Sequence, residues 1–322
     1  MSRAGRLGLL ALGVALAFLL ALIAGKVWVP LWGMAAGDPR AIIMMDLRLP
    51  RACLALVVGA GLGLSGAALQ GYTRNPLADP AILGISAMAA LGAVGAIFIG
   101  LGGSTGAIAA FAMAGAALAV LLLGALAGRT ASAVAFVLAG TVLSSLAGAL
   151  TALLITLSPN PFAMSALITW IMGALTDRGW AELRIAAPLV AAGALLLWTQ
   201  RHALDTLTLG EAVARSLGVR LMRLQWVLAL GLALIVGGSV AVTGVVGFVG
   251  LIVPHMLRPI FGAEPSRLLV PGALGGALLV LVADSLVRLA PGASELRLGV
   301  AMALIGAPFF FALLLRYRRA LA

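Results

Sequence analysis

Apolar runs of about 20 residues recur along the whole chain, and this is the feature that most limits what it can become. The first, LGLLALGVALAFLLALIA (Leu7–Ala24), is long enough as a helix to approach the ~30 Å thickness of bilayer hydrocarbon. The chain has 322 residues, 63% hydrophobic and 10% charged. A soluble domain could not cover that much apolar surface with so few polar side chains. The class is therefore an all-α polytopic membrane protein. Ten spans are expected, at 7–28, 51–70, 81–100, 105–127, 132–157, 182–200, 224–243, 247–261, 268–289 and 298–315. Segments near 41–48 and 165–175 read as short helices that lie at the membrane face without crossing. Arg3 and Arg6 before the first run resemble a signal peptide, but the apolar stretch exceeds a signal core and further spans follow. It is expected to stay as the first membrane helix.

The net charge of +11 does not indicate nucleic acid, because the arginines come in ones to threes between apolar runs and form no basic patch. They read as topology determinants. With both termini in the cytoplasm, 13 of the 21 basic residues are cytoplasmic, Arg74, Arg129, Arg201 and Arg316 among them. The outward minority includes Arg48, Arg51 and Arg288, which need a separate reason. The chain reads as one permease domain over 1–322, with an amphipathic cytoplasmic loop at about 201–223.

Most motif matches dissolve on inspection. GLGLSG (Gly61–Gly66) fits the dinucleotide fingerprint but lies inside a span, without a preceding strand. Gly59, Gly63 and Ala67, spaced by four, instead form a small-residue face for close helix packing in lipid. No GxxxxGK[ST] loop occurs, so nucleotide hydrolysis is not expected in this chain. His202 and His255 stand apart, Cys53 is the sole cysteine, and no nucleophile–base constellation appears, so neither a metal site nor a catalytic residue is expected. Asp284 lies within a late span with Arg288 at i+4, spacing that suits an ion pair. Thr141, Ser144, Ser145 and Thr151 give the fifth span a polar stripe, able either to line a path or to bond the backbone one turn back.

RLPR (Arg48–Arg51), GAGLGLSGAALQ (Gly59–Gln70), RNPLADPAILGIS (Arg74–Ser86), TGVVGFVGLIVPHMLR (Thr243–Arg258), LLVPGALGGALLVLVADSLVR (Leu268–Arg288) and GAPFFFALLLR (Gly306–Arg316) follow in that order. Together they resemble the permease subunits of ATP-binding-cassette importers for iron–siderophore complexes, haem and cobalamin. That resemblance implies a homodimer of ten-helix subunits in the bacterial inner membrane, set in lipid, with a translocation path at the interface. It also implies two ATPase subunits using ATP–Mg at the cytoplasmic face, a periplasmic binding protein outside, and no cofactor held by this chain. The cargo implied is an iron chelate, haem or a ferric siderophore, with cobalamin as the alternative. By the same resemblance Arg48, Arg51 and Arg288 would meet acidic residues of the binding protein. LGEAVARSLGVR (Leu209–Arg220) resembles a coupling helix, with Gly210, Glu211, Ala214, Arg215, Leu217 and Gly218 facing the ATPase. Gln70, Ser132, Thr141 and Ser144 are candidates for path or gate. ELRLGV (Glu295–Val300) departs from the family pattern, which often carries a proline near Leu298; Ala133 stands where the family often has a second hydroxyl.

The loop after the second span reads as a rigid hairpin. Asn75-Pro76 and Asp79-Pro80 force extended geometry before each proline, and Asp79 can cap a helix with Pro80 in its first turn. Two rivals remain: a proton-coupled secondary transporter, for which Asp284 alone is available, and a membrane-embedded enzyme, for which no clustered acid–His site exists.

Overall fold

A computed structural model describes residues 2–30, 32–33, 38–127, 132–291 and 295–321, with the backbone alone described at 314 and 316–321. Every regular element among them is helical. Seven helical runs are long and apolar enough to cross a bilayer: Arg3–Ile23, Pro39–Thr73, Thr105–Ala127, Ala133–Thr156, Trp180–Thr199, Leu221–Thr243 and Pro265–Leu289. Shorter apolar helices at Ile85–Leu101, Val249–Phe261 and Leu298–Leu313 occupy the other three expected positions, and Pro161–Ile171 is the expected short helix between spans. Arg129 lies outside the described residues.

In chain order the helices are α1 (Arg3–Ile23), α2 (Pro39–Ile42), α3 (Leu49–Thr73), α4 (Ile85–Ala96), α5 (Thr105–Ala127), α6 (Ala133–Thr156), α7 (Pro161–Ile171) and α8 (Trp180–Thr199). They continue with α9 (Arg201–Leu207), α10 (Glu211–Ser216), α11 (Leu221–Leu232), α12 (Gly238–Thr243), α13 (Val249–Phe261), α14 (Pro265–Leu289) and α15 (Leu298–Leu321). One expectation needs correcting. The segment at 41–48 is not a separate face helix: a π-helical turn over Ile43–Arg48 joins α2 directly to α3. Pro50 stands just after the π-helical turn, inside the continuous run Pro39–Thr73, and does not break it.

The centre of the fold is the pair α3–α14, packed through glycine. A Cβ added to Gly272 would lie 2.9 Å from the Gly63 carbonyl oxygen, and added atoms on Gly59, Gly63 and Gly276 would press still closer on the facing backbone. In lipid, apolar side chains gain little by leaving the solvent, so helices hold together by close backbone approach and van der Waals contact. The small-residue face expected at Gly59, Gly63 and Ala67 is thus present, and its partner is Gly272 and Gly276. Gly61 and Gly66 of the rejected fingerprint are buried helical packing residues in the same span.

Between α12 and α13 the chain leaves helical geometry at Gly244–Phe248, with positive φ at Gly244 and Phe248. Such backbone survives at membrane depth only where protein covers it. Here Ala174 N–H donates to the Thr243 carbonyl at 2.7 Å, and Gly299 N–H donates to the Gly173 carbonyl at 3.1 Å. Gly173 and Gly299 lack the side chains that would collide with the Val245 carbonyl.

Candidate functional sites at the two ends of α14

The helix α14 has 25 residues, a rise of about 37 Å, and carries a polar site at each end. At its C-terminal end the arginines expected to face outward, Arg48, Arg51 and Arg288, come together. Arg51 binds Asp284 through two nitrogens, Nε to both carboxylate oxygens at 3.1 Å and Nη2 to Oδ1 at 2.9 Å. The same Nη2 donates to Glu295 Oε2 at 2.9 Å, and Glu295 also accepts from the Thr176 hydroxyl at 2.8 Å. Asp284 is 1% exposed. The i+4 partner is present: Arg288 Nε stands 3.2 Å from Asp284 Oδ2, an ion-pair contact without hydrogen-bond alignment.

Arg48 and Arg288 also do the work of a helix cap. Four carbonyls at the end of any α-helix have no intrahelical donor. At the end of α1, Arg288 Nη1 donates to Ala21 and Ala24 at 2.9 and 3.2 Å, and Arg48 Nη1 donates to Leu22 and Ile23 at 2.9 and 2.7 Å. Arg48 Nη2 reaches Val27 as well. Positive charge there also suits the negative end of the helix dipole. All three arginines line one cavity of about 590 Å³ together with Lys26, Arg178 and Glu295.

Arg178 is the cavity residue that sequence reasoning passed over. Its Nε is buried with no hydrogen-bond partner among the described residues. Burial pushes its pKa down, while Glu182 and Asp177 pull it back up. Burial opposes the Glu295 carboxylate too, but Arg51 and Thr176 outweigh it and hold its pKa below the ordinary 4.5.

The other end of α14 is joined to the polar loop. Asp205 on α9 accepts from Ser266 N–H at 2.8 Å, supplying from another element the bond that a capping side chain would make. Beyond α9, Gly210 at φ 103° and Gly218 at φ 89° bracket α10, turns that an L side chain would strain. Ala214 is buried beneath α10 and Glu211 stands 3.6 Å from Arg74 of the hairpin, while Arg215 points to solvent. Leu209 and Leu217 are each 63% exposed, and Val213 between them is also exposed.

The hairpin is built as its prolines indicate. Asn75 accepts from Leu77 N–H at 2.9 Å, and Asp79 accepts from Ala81 N–H at 2.8 Å to cap the 3-10 turn Pro80–Leu83. Pro76 occupies the bend between them, and Arg74 takes a left-handed conformation. Burial raises the Asp79 pKa, against hydrogen bonds from the Ala81 and Leu251 backbone. Gln70, a path candidate, is 1% exposed. Its amide nitrogen donates to the carbonyls of Gly250 and Leu251 at 3.2 and 3.3 Å, and its oxygen accepts from Arg258 at 3.3 Å. In this chain it therefore joins the hairpin to α13. On α6, Thr141 faces outward and its hydroxyl bonds the Leu138 carbonyl at 2.8 Å. The Ser144 hydroxyl is buried without a partner among the described residues, and Ser132 precedes the first turn. No group of His, Cys, Asp and Glu able to hold a metal occurs among the described residues.

The model of the FecCD transport family matches residues 13–316. The chain belongs to that family. The vitamin B12 import system permease protein BtuC of Salmonella typhi is 39% identical over 316 residues, 96% of this chain and 94% of that one. YvrB of Bacillus subtilis, an ABC transporter permease, is 37% identical over 283 residues, 86% of this chain and 80% of its own. A solved structure assigned to a metal-chelate type ABC transporter, inward-facing, superposes with a TM-score of 0.90 at 30% identity, covering 97% of this chain and 99% of the other. PsaBC of Streptococcus pneumoniae, bound to a Fab, shares the fold at a TM-score of 0.55 and 18% identity, over 82% and 89% of the two chains. This FecCD protein is accordingly a multi-pass ABC importer permease.

Proposed function

We propose that this chain is the membrane subunit of an ATP-driven metal-chelate importer, working as a homodimer with two ATPase subunits and a periplasmic binding protein. The observation that carries the ATPase assignment is α10. A six-residue helix outside the spans exposes Leu209, Val213 and Leu217 while Ala214 anchors it from beneath. Apolar side chains held outward on a braced helix suit insertion into a groove of another protein.

Asp205 joins this loop to α14, and α14 carries Asp284 and Arg288 at its far end. Movement of the loop would thus tilt a rod that reaches the opposite face. There, an acidic group of the binding protein would enter the cavity and meet Arg178, while Arg51, already paired with Asp284 and Glu295, contributes field. Arg48 and Arg288 would contribute mainly field, since their nitrogens already cap α1. Charge-assisted contacts of this kind set docking geometry.

The names of BtuC and of the metal-chelate neighbour support a metal chelate as cargo, with cobalamin first and ferric siderophores and haem next. The test is the ATPase rate of the assembled complex on addition of binding protein carrying each chelate. Stimulation by one loaded form is expected and would identify the cargo. No stimulation by any of the three would contradict the assignment.

A further inference from the structure

Between α1, α13 and α14 runs an apolar groove of about 290 Å³ whose wall residues include Leu10, Ile252, Met256, Gly275, Leu278 and Val282. Among the described residues no charged or hydrogen-bonding side chain lines it. Gly275 keeps the floor low: a Cβ there would stand 2.7 Å from Val253 Cγ1 and 2.8 Å from Leu257 Cδ1.

Arginines gather at one end of this groove. Arg6 lies one turn before Leu10 on α1, donates to the Ile260 carbonyl, and sits 6.0 Å from the centre of the Phe261 ring. Its Nε is buried with no hydrogen-bond partner among the described residues. Arg3 reaches the Arg267 carbonyl at 3.4 Å, which brings a third arginine to the same helix ends. Two acids lie at these helix ends: Glu264, paired with Arg267, and Asp205, which accepts from the Ser266 N–H. Three guanidinium groups thus outnumber two carboxylates. From Arg267 to the stretch Gly275–Val282 the helix rises about 12–22 Å, the depth of one leaflet.

We infer that this seam holds one anionic phospholipid, its phosphate at Arg3, Arg6 and Arg267 and an acyl chain in the groove. A zwitterionic lipid would offer the same chain but no net charge to balance the surplus arginine. A second copy of the protein would need acids opposite Arg3 and Arg267, and the spans of this chain carry few.

The test is native mass spectrometry of the purified protein after exchange into phosphatidylglycerol or phosphatidylcholine, with glycerol phosphate as a headgroup without chains. Retention of about one phosphatidylglycerol, little phosphatidylcholine and no glycerol phosphate is expected. Arg3→Gln with Arg6→Gln should lower phosphatidylglycerol retention at least tenfold, and Arg3→Lys with Arg6→Lys should largely keep it. Met256→Trp, which fills the groove and leaves the charges, should also release the lipid. Equal retention of the two lipids, or retention unchanged in both the glutamine and the tryptophan variants, would overturn the inference.

Discussion

Asp284 holds two arginines at 1% exposure, and that makes it a structural anion. Removing one member of a buried ion pair leaves the other charge without compensation, typically a loss of about 3–5 kcal/mol. Asp284→Asn is therefore expected to lower thermal stability in detergent by that order, and any surviving transport should show unchanged dependence on a proton gradient. A proton relay would instead give a stable protein that no longer transports. Glu295 makes a separate prediction in pH. Its folded pKa lies below the ordinary 4.5, so its contribution is fully present above about pH 4.5 and is lost as pH falls through the folded value. The acid limb of a stability profile should flatten in Glu295→Gln; an unchanged limb would remove Glu295 from the network. The pair Asp284–Arg288 was legible in sequence because helical spacing places i and i+4 together. Arg51 was not legible as its partner, since the packing of α3 brings it in from 233 residues away, and neither was the contact between Arg51 and Glu295, which are 244 residues apart.

Among elements, α3 and α14 are matched glycine to backbone. Gly276→Leu would force a side chain into the Gly59 carbonyl, and ~3 kcal/mol, the upper end of the overpacking range, is the expected loss in unfolding experiments. Gly8, with open space around it, should accept the same change with little effect. On α10, Val213→Glu should abolish association with the ATPase subunit while leaving the melting temperature within a degree or two, because the side chain is exposed. A binding assay that found normal assembly would remove α10 from the interface. The small-residue face of α3 could be read directly from its spacing, and the hairpin from its prolines. The continuity of α2 with α3 could not, because Pro50 suggests a break and only the structure shows the π-helical turn that leads into it. The contacts of Gln70 were not legible from sequence alone either. A polar residue near a span end suggests an open path, whereas the carbonyls that consume its amide come from Gly250 and Leu251, about 180 residues away.

At the scale of the whole molecule, ten apolar runs were enough to establish a polytopic helical protein, and the ordered motifs established the family. What sequence could not give is the connection between faces. One helix, α14, is tied through Asp205 to the exposed loop and through Asp284 to the arginine cavity. That connection makes mechanical coupling across the membrane a physical expectation. The most direct measurement is uptake into proteoliposomes containing this chain and its ATPase, with loaded binding protein outside and either ATP inside or a proton gradient alone. Uptake that requires ATP and disappears in Val213→Glu is the predicted result. Uptake driven by the gradient without ATP would contradict an ATP-coupled permease.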